Sequence, residues 1–360
     1  MLPSLHIRLT NFRRWMKGKR LDFFLVSHPP NIYYLTGFTG SSGELVLGQE
    51  WGVLITDGRY KTQARAEVRG ASVLIHKGPP LEAVGGVLDG RRAGTLGFEA
   101  EHTSVLGVRQ LRRSTGRSIR LRGHTGAVEA LRAIKDAEEI SRLRAAASLI
   151  GRVFEKVLPL VRPGRSELEL AAEIEYQIRG LGAEGASFET IVASGRRSAQ
   201  PHARPTSKLL RKNELVVLDL GAILRHYCSD LTRTVYLGRA PGRVRSIYGA
   251  VREAQAEALA NIRPATPCAE VDQATRRVLQ RHRLDRYFVH SLGHGLGLEI
   301  HEEPRLAAGI KSRLQAGHVV TVEPGVYIPG FGGIRIEDDV LVTRDGAEVL
   351  TRAPREFLEL

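Results

Sequence analysis

The sequence predicts an α/β (α+β) protein of two domains, a small N-terminal α/β domain over residues 1–125 and a larger C-terminal domain over residues 126–360. The first reason is length, because a chain of 360 residues exceeds the size at which a single hydrophobic core stops growing. The second is pattern, because short apolar runs bounded by turn residues alternate with stretches of helical periodicity. The third is a change in composition near residues 123–136, where the long helical patterns begin.

The N-terminal domain is predicted from short apolar runs rich in β-forming residues. Gly, Pro, Asn and Asp separate these runs and indicate turns. The predicted strands are Phe23–Ser27, Gly43–Leu47, Val53–Thr56 and Ala71–His76.

Two long helices are predicted to open the C-terminal domain. Asp136–Glu139 has the pattern of a capping box, and apolar residues then recur every three or four positions, with a stop at Pro163-Gly164. A second capping pattern at Ser166–Glu169 begins a helix that ends at Gly180–Gly182, where glycine supplies the left-handed cap. Further helices are predicted at about 243–262 and 267–282.

Two predicted hairpins carry single acids within apolar strands. The first pairs Leu215–Gly221 with Tyr227–Leu237, and the second pairs Val319–Gly325 with Gly333–Val340. The order of two helices followed by an acidic hairpin therefore occurs twice. This order hints at an internal structural duplication, although no residue-level repeat accompanies it.

The acids in these hairpins are Asp219, Asp230, Glu323 and Glu337. A buried charged carboxylate must shift its pKa, find a partner or bind a metal, and each hairpin brings its two acids together. Any one acid is more often structural, but four carboxylates with the nearby imidazole of His294 favour a site for two divalent cations. Oxygen ligands with one imidazole suit Mn, Co, Fe or Zn.

Residues 290–302 place three imidazoles and two carboxylates among three glycines. A packed core does not require that combination, because glycine loses the most conformational freedom on folding. We therefore expect the glycines to let the backbone pass close to the metals and to a substrate.

Composition narrows the functional classes. The chain is 42% apolar and 26% charged, as in ordinary soluble proteins, and no apolar run reaches the length of a membrane helix. The first twenty residues are basic without an apolar segment, so we expect no secretory signal and a cytoplasmic location. The two cysteines exclude a disulfide framework and a cysteine-based zinc site.

The formal net charge of +14 raises the question of a nucleic-acid partner. Residues 1–125 hold 19 of the 53 Lys and Arg residues but only 9 of the 39 Asp and Glu residues. The basic residues are scattered, and no nucleic-acid motif accompanies them. We therefore favour a solvated basic surface over a nucleic-acid site.

Taken together, these motifs resemble those of the Xaa-Pro peptidases, aminopeptidase P and prolidase, within the creatinase and methionine aminopeptidase fold group called "pita-bread". The resemblance implies a creatinase-type N-terminal domain and a pita-bread catalytic domain, and it covers most of the chain. The matching segments are Asn31–Phe38, Thr56–Tyr60, Leu131–Lys135, Leu218–Ala222, Ser229–Thr234, His290–Glu302, Val322–Gly325 and Gly333–Asp338.

The resemblance also implies a role for each site residue. Asp219 would chelate the first of two divalent metal ions, Asp230 and Glu337 would bridge both, and His294 and Glu323 would hold the second. Manganese is the first choice of metal, with cobalt or zinc as alternatives. The implied catalytic residues are His202, His290 and His301 at the substrate, Glu323 as proton shuttle and Arg335 as a partner of the carboxylates.

The implied activity is hydrolysis of the bond between an N-terminal residue and proline. We favour an aminopeptidase acting on peptides with proline at the second position, because the N-terminal domain is short and residues 290–302 look like those of small bacterial aminopeptidases. The alternative is a prolidase restricted to dipeptides. A non-catalytic binding protein and a metal-free amidinohydrolase on the same fold are disfavoured, because every expected ligand is present. A homodimer is expected.

Three positions depart from the family pattern or need a separate interpretation. Arg196 and Arg197 stand where an asparagine is often found, which changes the expected charge of the cleft. Cys228 lies two residues before Asp230 and is interpreted as a packing residue rather than a ligand.

Overall fold

A computed structural model describes residues 3–91 and 93–360 of the chain. The chain divides into two compact units, Met1–Arg132 and Ala133–Leu360. Each unit has hydrophobic clusters of its own.

The described part of the N-terminal unit contains a six-stranded sheet in the order β4-β3-β2-β1-β5-β6. The pairs β1/β2 and β2/β3 are antiparallel, and the remaining pairs are parallel. The strands are β1 (Phe23–Val26), β2 (Glu44–Leu47), β3 (Gly52–Asp57), β4 (Ser72–His76), β5 (Gly94–Glu99) and β6 (Ile119–His124). The helices are α1 (Pro3–Gly18), α2 (Pro29–Thr36), α3 (Lys61–Glu67), α4 (Val84–Leu88), α5 (Val105–Thr115) and α6 (Glu129–Arg132).

The four strands predicted for this unit are confirmed as β1 to β4, within one residue of the predicted ends. Strands β5 and β6 and all six helices of the unit were not predicted. A buried cluster from β1, β2, β3, β5 and β6 packs against α4 and α5 and forms the core.

The helices of the C-terminal unit begin as predicted. The capping boxes at Asp136/Glu139 and Ser166/Glu169 are both formed, and Gly182 adopts a left-handed φ of 93° after the second helix. The predicted stop of the first helix at Pro163-Gly164 is wrong, because Pro159 lacks a backbone N–H and the α-helix gives way to a 3-10 turn. The helices are α7 (Ala137–Val157), α8 (Glu167–Gly180), α9 (Gly242–Asn261) and α10 (Cys268–Arg281).

The described strands of this unit form two larger sheets, β20-β12-β9-β8 and β14-β13-β15-β18-β19, and the smaller sets β11-β10-β7 and β16-β17. The early strands are β7 (Gly185–Ala186), β8 (Ile191–Ser194), β9 (Glu214–Leu220), β10 (Ala222–Leu224), β11 (Tyr227–Cys228) and β12 (Leu231–Leu237). The later strands are β13 (Gly293–Gly295), β14 (Glu302–Leu306), β15 (Val319–Val322), β16 (Gly325–Ile328), β17 (Gly332–Arg335), β18 (Asp338–Val342), β19 (Ala347–Val349) and β20 (Leu358–Glu359).

Each larger sheet of the C-terminal unit packs against a different pair of helices. One buried cluster joins α7 and α8 to β8, β9 and β12, and another joins α9 and α10 to β15 and β18. Two helices followed by strands thus occur twice along the chain, in the order that the sequence hinted at.

Three predicted strands are interrupted, and each interruption lies at an acid. The predicted strand Tyr227–Leu237 breaks at Ser229-Asp230. There the Asp230 N–H donates to the side-chain oxygen Oδ2 of Asp339 at 3.0 Å instead of to a main-chain carbonyl of a paired strand. The strand through Glu323 breaks beside Pro324, which has no N–H to donate, and Glu337 lies between β17 and β18. The acids at these breaks therefore take no part in regular strand pairing, and their side chains turn towards one another.

Among the described residues, no helix is both long enough and apolar enough to cross a membrane.

Candidate metal centre

The hairpin of β9 and β12 brings the first two acids together. Asp219 lies opposite Thr232 in the antiparallel register, and Asp230 immediately precedes β12. Because strand side chains alternate, Asp230 and Thr232 share a face, and this face also receives Glu337. Thr232 Oγ1 donates to Glu337 Oε2 at 2.5 Å, and the Glu337 N–H donates to the Thr232 carbonyl at 3.1 Å.

The second pair of acids flanks the hairpin of β16 and β17. Gly325 pairs with Arg335 in this hairpin, so Glu323, just before β16, and Glu337, just after β17, lie at the same end. The Glu323 N–H donates to the Leu292 carbonyl at 2.9 Å, which joins this end of the hairpin to the segment leading into β13.

Strand β13 supplies the imidazole. His294 Nδ1 lies 3.0 Å from the Gly295 carbonyl and donates to it, which leaves Nε2 as the lone-pair nitrogen. His294 Nε2 lies 3.8 Å from Asp230 Oδ2 and 3.5 Å from Glu323 Oε1. Ligand atoms of Asp230, His294 and Glu337 all lie within 4.8 Å of one another.

Burial makes it costly to keep this cluster of carboxylates charged. The pKa values of Asp230 and Glu323 are raised well above their ordinary values, by desolvation first and by neighbouring carboxylates second. The pKa of Glu337 rises to about 8 for the same reasons, with Asp219 as the largest neighbouring charge. Burial lowers the pKa of His294 to about 4, so the imidazole is neutral near pH 7 and supplies no compensating charge.

The hydrogen bonds of the site are incomplete in a way that fits cations. Among the described residues, buried oxygens without a hydrogen-bond partner include Oδ1 of Asp219, of Asp230 and of Asp339. Buried acceptors of this kind are expensive when left alone, and a divalent cation satisfies several at once. The donor set of hard carboxylate oxygens and one neutral imidazole suits such ions.

Arg335 is a buried cation within the site. Its Nη2 donates to Asp219 Oδ2, and its Nε donates to Thr232 Oγ1 at 3.0 Å. Its Nη1 donates to Tyr327 Oη at 2.7 Å and to the Pro201 carbonyl at 3.2 Å. The guanidinium thereby fixes one oxygen of Asp219 and the hydroxyl that supports Glu337.

His290 lies beside Glu323, with 3.8 Å between His290 Nδ1 and Glu323 Oε2. Its Nδ1 lies 2.8 Å from the Ser291 carbonyl and its Nε2 lies 3.0 Å from Tyr327 Oη. Desolvation lowers the pKa of His290 to about 4. Tyr327 was not singled out from the sequence, and the available signal was a single hydroxyl in the otherwise apolar strand β16.

The other two histidines are more open to solvent. The exposed His301 ring packs edge-on against His294, with 4.3 Å between ring centroids. His202 is also exposed and follows Pro201, whose carbonyl accepts from Arg335. Burial lowers the pKa of both His290 and His301 most, followed by the positive charge of Arg335 for His290 and of Arg305 for His301, with a smaller lowering from the nearby His202.

Two of the glycines in residues 290–302 have a reason within the sheet, and the expected closeness of this backbone to metals and a substrate stays a prediction. A Cβ on Gly293 would lie 2.0 Å from the Thr321 carbonyl oxygen, and a Cβ on Gly295 would lie 2.3 Å from that of Glu303. The neighbours are therefore the flanking strands β14 and β15. These glycines let β13 fit between its neighbours and thereby place His294.

Of the three unusual positions, Arg197 and Cys228 make contacts within the fold, and Arg196 is exposed. Arg197 Nε donates to the buried Glu167 at 3.0 Å, and its Nη2 donates to the Arg204 carbonyl at 2.5 Å. Cys228 is buried, with its Sγ 3.9 Å from the Leu298 carbonyl oxygen, and burial raises the pKa of its thiol.

Comparison with known families matches both units. The model of Metallopeptidase family M24 matches residues 141–344, and that of the Creatinase/Prolidase N-terminal domain matches residues 8–134.

Individual relatives match from end to end. The Xaa-Pro dipeptidase of Pyrococcus furiosus is 35% identical, over 98% of this chain and 99% of that protein. The structure of an Xaa-Pro dipeptidase from Bacillus anthracis is 36% identical with a TM-score of 0.95, over 99% of this chain and 100% of that chain. The structure of an X-Pro aminopeptidase from Thermotoga maritima is 34% identical with a TM-score of 0.89, over 96% and 100%.

Proposed function

We propose that this chain, which belongs to metallopeptidase family M24, is a metal-dependent Xaa-Pro dipeptidase that hydrolyses the bond between an N-terminal residue and proline. The observation that carries the proposal is the meeting of Asp230, His294 and Glu337 within 4.8 Å, beside buried carboxylate oxygens that lack donors. The names of the relatives support the substrate class.

The metal would be a pair of divalent cations held by Asp219, Asp230, Glu337, His294 and Glu323. Manganese is the first choice and cobalt or zinc the alternatives, because carboxylates with one imidazole suit all three. When bound, such ions supply Lewis acidity towards a carbonyl and lower the pKa of a water molecule.

The chain's own groups would move the proton. We assign Glu323 as the shuttle, receiving a proton from the attacking water and returning it to the nitrogen of the departing proline. Its Oε1 accepts from Thr321 Oγ1 at 3.3 Å, and its Oε2 faces His290. These contacts orient the Glu323 carboxylate towards His290 and His294.

Three histidines would contact the substrate. Proline presents no N–H once it is within a peptide bond, so recognition depends on ring packing and on donors to carbonyl and carboxylate oxygens. We assign His290 to the reacting carbonyl because it lies beside Glu323, and we assign the exposed His202 and His301 to the rest of the peptide. Arg335 would hold Asp219 and Tyr327 in place.

The dipeptidase proposal replaces the preference for an aminopeptidase. That preference depended on a short N-terminal domain and on the form of residues 290–302, yet dipeptidases from Pyrococcus furiosus and Bacillus anthracis match this chain over nearly their full length. A short N-terminal domain therefore does not distinguish an aminopeptidase from a dipeptidase. An aminopeptidase stays the second candidate, because the Thermotoga maritima structure shares the fold at a TM-score of 0.89. The expected homodimer and the cytoplasmic location also stay predictions.

The test is hydrolysis of Gly-Pro and of Gly-Pro-Pro by metal-depleted protein to which Mn²⁺, Co²⁺ or Zn²⁺ is returned. We expect metal-dependent cleavage of the dipeptide and little cleavage of the tripeptide. Efficient cleavage of the tripeptide would identify an aminopeptidase. Absence of cleavage of both peptides by metal-loaded protein would contradict the proposal.

Matched variants separate the site from general effects of removing an acid. Asp230→Asn removes a proposed ligand with little change of shape, and Asp345→Asn removes an exposed acid of the same unit. We expect only the first variant to lose activity and the response to metal.

A further inference from the structure

Behind the carboxylates lies a second buried arginine, Arg233, which is 1% exposed. It stands in β12 between Thr232 and Thr234, whose hydroxyls bond Glu337 and Arg335 respectively. Because side chains alternate along a strand, Arg233 points to the opposite face. Its direct contacts with Thr232 and Glu337 are therefore made to the main chain.

All five N–H groups of Arg233 have acceptors. Nε donates to the Pro354 carbonyl at 2.7 Å. Nη1 donates to the carbonyls of Thr232 at 2.9 Å and Glu337 at 2.6 Å. Nη2 donates to Asp338 Oδ1 at 2.8 Å and to the Ala353 carbonyl at 3.0 Å. A planar guanidinium with every donor used has a fixed position.

Asp338 is held as firmly as the arginine that it pairs with. Its Oδ1 also accepts from Thr351 Oγ1 at 2.6 Å, and its Oδ2 accepts from Gln255 Nε2 at 2.9 Å and Arg355 Nε at 2.8 Å. Asp338 is fully buried. Groups from α9 and from the C-terminal segment thus anchor the side of the guanidinium that faces away from Glu337.

We propose that Arg233 is a positioning residue for the metal ligands. Its Nη1 joins the main chain of Glu337 to that of Thr232, and this junction sets the register in which Thr232 Oγ1 reaches Glu337 Oε2 at 2.5 Å. Loss of the junction lets the segment between β17 and β18 shift, which moves one carboxylate relative to Asp230. The inference rests on the proposed function only in taking Glu337 as a metal ligand.

Substitution of Arg233 by lysine distinguishes a role of its positive charge from a role of its geometry. Arg233→Lys keeps the positive charge beside Asp338. A lysine ammonium carries its three donors on one nitrogen and cannot span five acceptors in a planar fork. Rescue by lysine would therefore indicate charge alone, and failure of lysine indicates positioning.

The test is titration of metal-depleted protein with Mn²⁺, followed by the electron paramagnetic resonance signal of free Mn²⁺. We expect Arg233→Lys to weaken Mn²⁺ binding by about 10- to 100-fold, the range found when groups behind metal ligands are changed. Thr351→Val removes only one donor to Asp338, and we expect a smaller weakening of about threefold, within the context-dependent worth of one hydrogen bond.

Controls separate positioning from loss of stability. Val153→Ala creates a cavity in the buried cluster between α7, α8 and strands β8, β9 and β12, without removing a polar group, and we expect it to lower stability while Mn²⁺ binding stays as in the wild type. Far-UV circular dichroism establishes that each variant is folded at the titration temperature. If Arg233→Lys does not fold, Thr351→Val decides the matter.

The outcomes distinguish this inference from the proposed function. Wild-type binding of Mn²⁺ together with unweakened binding by folded Arg233→Lys, or by Thr351→Val where the lysine variant does not fold, would overturn the positioning role alone. Failure of the wild type to bind Mn²⁺ would instead overturn the proposed function and, with it, the inference.

Discussion

Buried acids occur in both units, and they are treated in opposite ways. In the N-terminal unit, Glu99 accepts from the backbone N–H groups of Ser27 at 2.7 Å and His28 at 2.8 Å and from Asn31 Nδ2 at 2.7 Å. In the C-terminal unit, Asp219 and Asp230 each retain a buried oxygen without a partner and have other carboxylates as neighbours. A buried acid thus indicates a metal site when donors are missing around it.

The same contrast occurs within three consecutive residues. Asp338 has four donors, whereas its neighbours Glu337 and Asp339 lie on the opposite strand face, beside Asp230. Strand alternation therefore separates Asp338, a structural acid, from Glu337, a proposed metal ligand, and Asp339, which accepts from the Asp230 N–H. Position in the sequence alone does not separate them.

The largest expected effect concerns activity. Asp230→Asn should lower kcat/KM for Gly-Pro by at least about a thousandfold, about 4 kcal/mol of transition-state stabilisation, because a proposed bridging ligand is lost. Glu99→Gln should leave kcat/KM near the wild-type value and instead lower stability by about 1–3 kcal/mol, since its donors lose a charged acceptor. Steady-state kinetics and urea unfolding of both variants measure the two effects. Comparable losses of activity would remove the contrast between the units.

The next effect concerns a buried acid of the C-terminal unit that does have a partner. Lys135 Nζ lies 3.1 Å from Glu302 Oε2, and both side chains are almost fully buried. Lys135→Met should cost about 3–5 kcal/mol, because it leaves a buried carboxylate without its cation. Chemical denaturation followed by circular dichroism measures the loss. The double variant Lys135→Met/Glu302→Gln should recover part of it, and no recovery would show that the charge of Glu302 is not the cause.

A third prediction concerns pH and the N-terminal unit. Burial, together with the charge of Glu99, raises the pKa of Glu44 to about 7 despite a hydrogen bond from Ser27. Between about pH 4.5 and pH 7 the Glu44 carboxyl keeps its proton in the folded protein but loses it in the unfolded chain. The contribution of Glu44 to the free energy of unfolding therefore falls as pH rises. Glu44→Gln should therefore match the wild type near pH 4.5 and gain up to about 3 kcal/mol above pH 7.

The measurement uses a convenient feature of the sequence. Both tryptophans, Trp15 and Trp51, belong to the N-terminal unit, so urea unfolding followed by tryptophan fluorescence reports on that unit. Glu50→Gln, at an exposed position of the same unit, is the control. A difference between Glu44→Gln and the wild type that does not change with pH would contradict the assignment.

The smallest predicted effect is stabilisation by metal. Mn²⁺ at a hundred times its dissociation constant should stabilise the wild type by about 2.7 kcal/mol through mass action. Glu99→Gln should gain about as much and Asp230→Asn much less. Differential scanning calorimetry with and without Mn²⁺ measures the shift, and an equal gain in all three proteins would indicate binding elsewhere.

Much of the fold was predictable because its signals are local. The capping boxes at Asp136 and Ser166 and the apolar periodicity that follows each one are sufficient to place α7 and α8. The breaks at Asp230 and Glu337 were not predictable, because they depend on partners far along the chain, such as Asp339 for the Asp230 N–H and Thr232 for the Glu337 N–H. The break at Glu323 did have a local signal, the missing N–H of Pro324. Apolar alternation continues across these breaks and conceals them.

The site was predictable as a set of residue types but not as a geometry. Acids within apolar runs indicated Asp219, Asp230, Glu323 and Glu337 before any contact was known. Tyr327 and Arg233 were missed, because a single polar residue in a strand gives no sign of which face it occupies relative to the acids. Their roles follow only from contacts between strands.

The most direct measurement is anomalous X-ray diffraction from crystals of the protein loaded with Mn²⁺. We expect two anomalous peaks per chain, both within ligand distance of Asp230 and Glu337, with His294 and Glu323 on one ion and Asp219 on the other. Absence of peaks among these carboxylates, with Mn²⁺ bound elsewhere or not at all, would contradict the claim that the acids with buried oxygens lacking donors form a metal centre in the C-terminal unit.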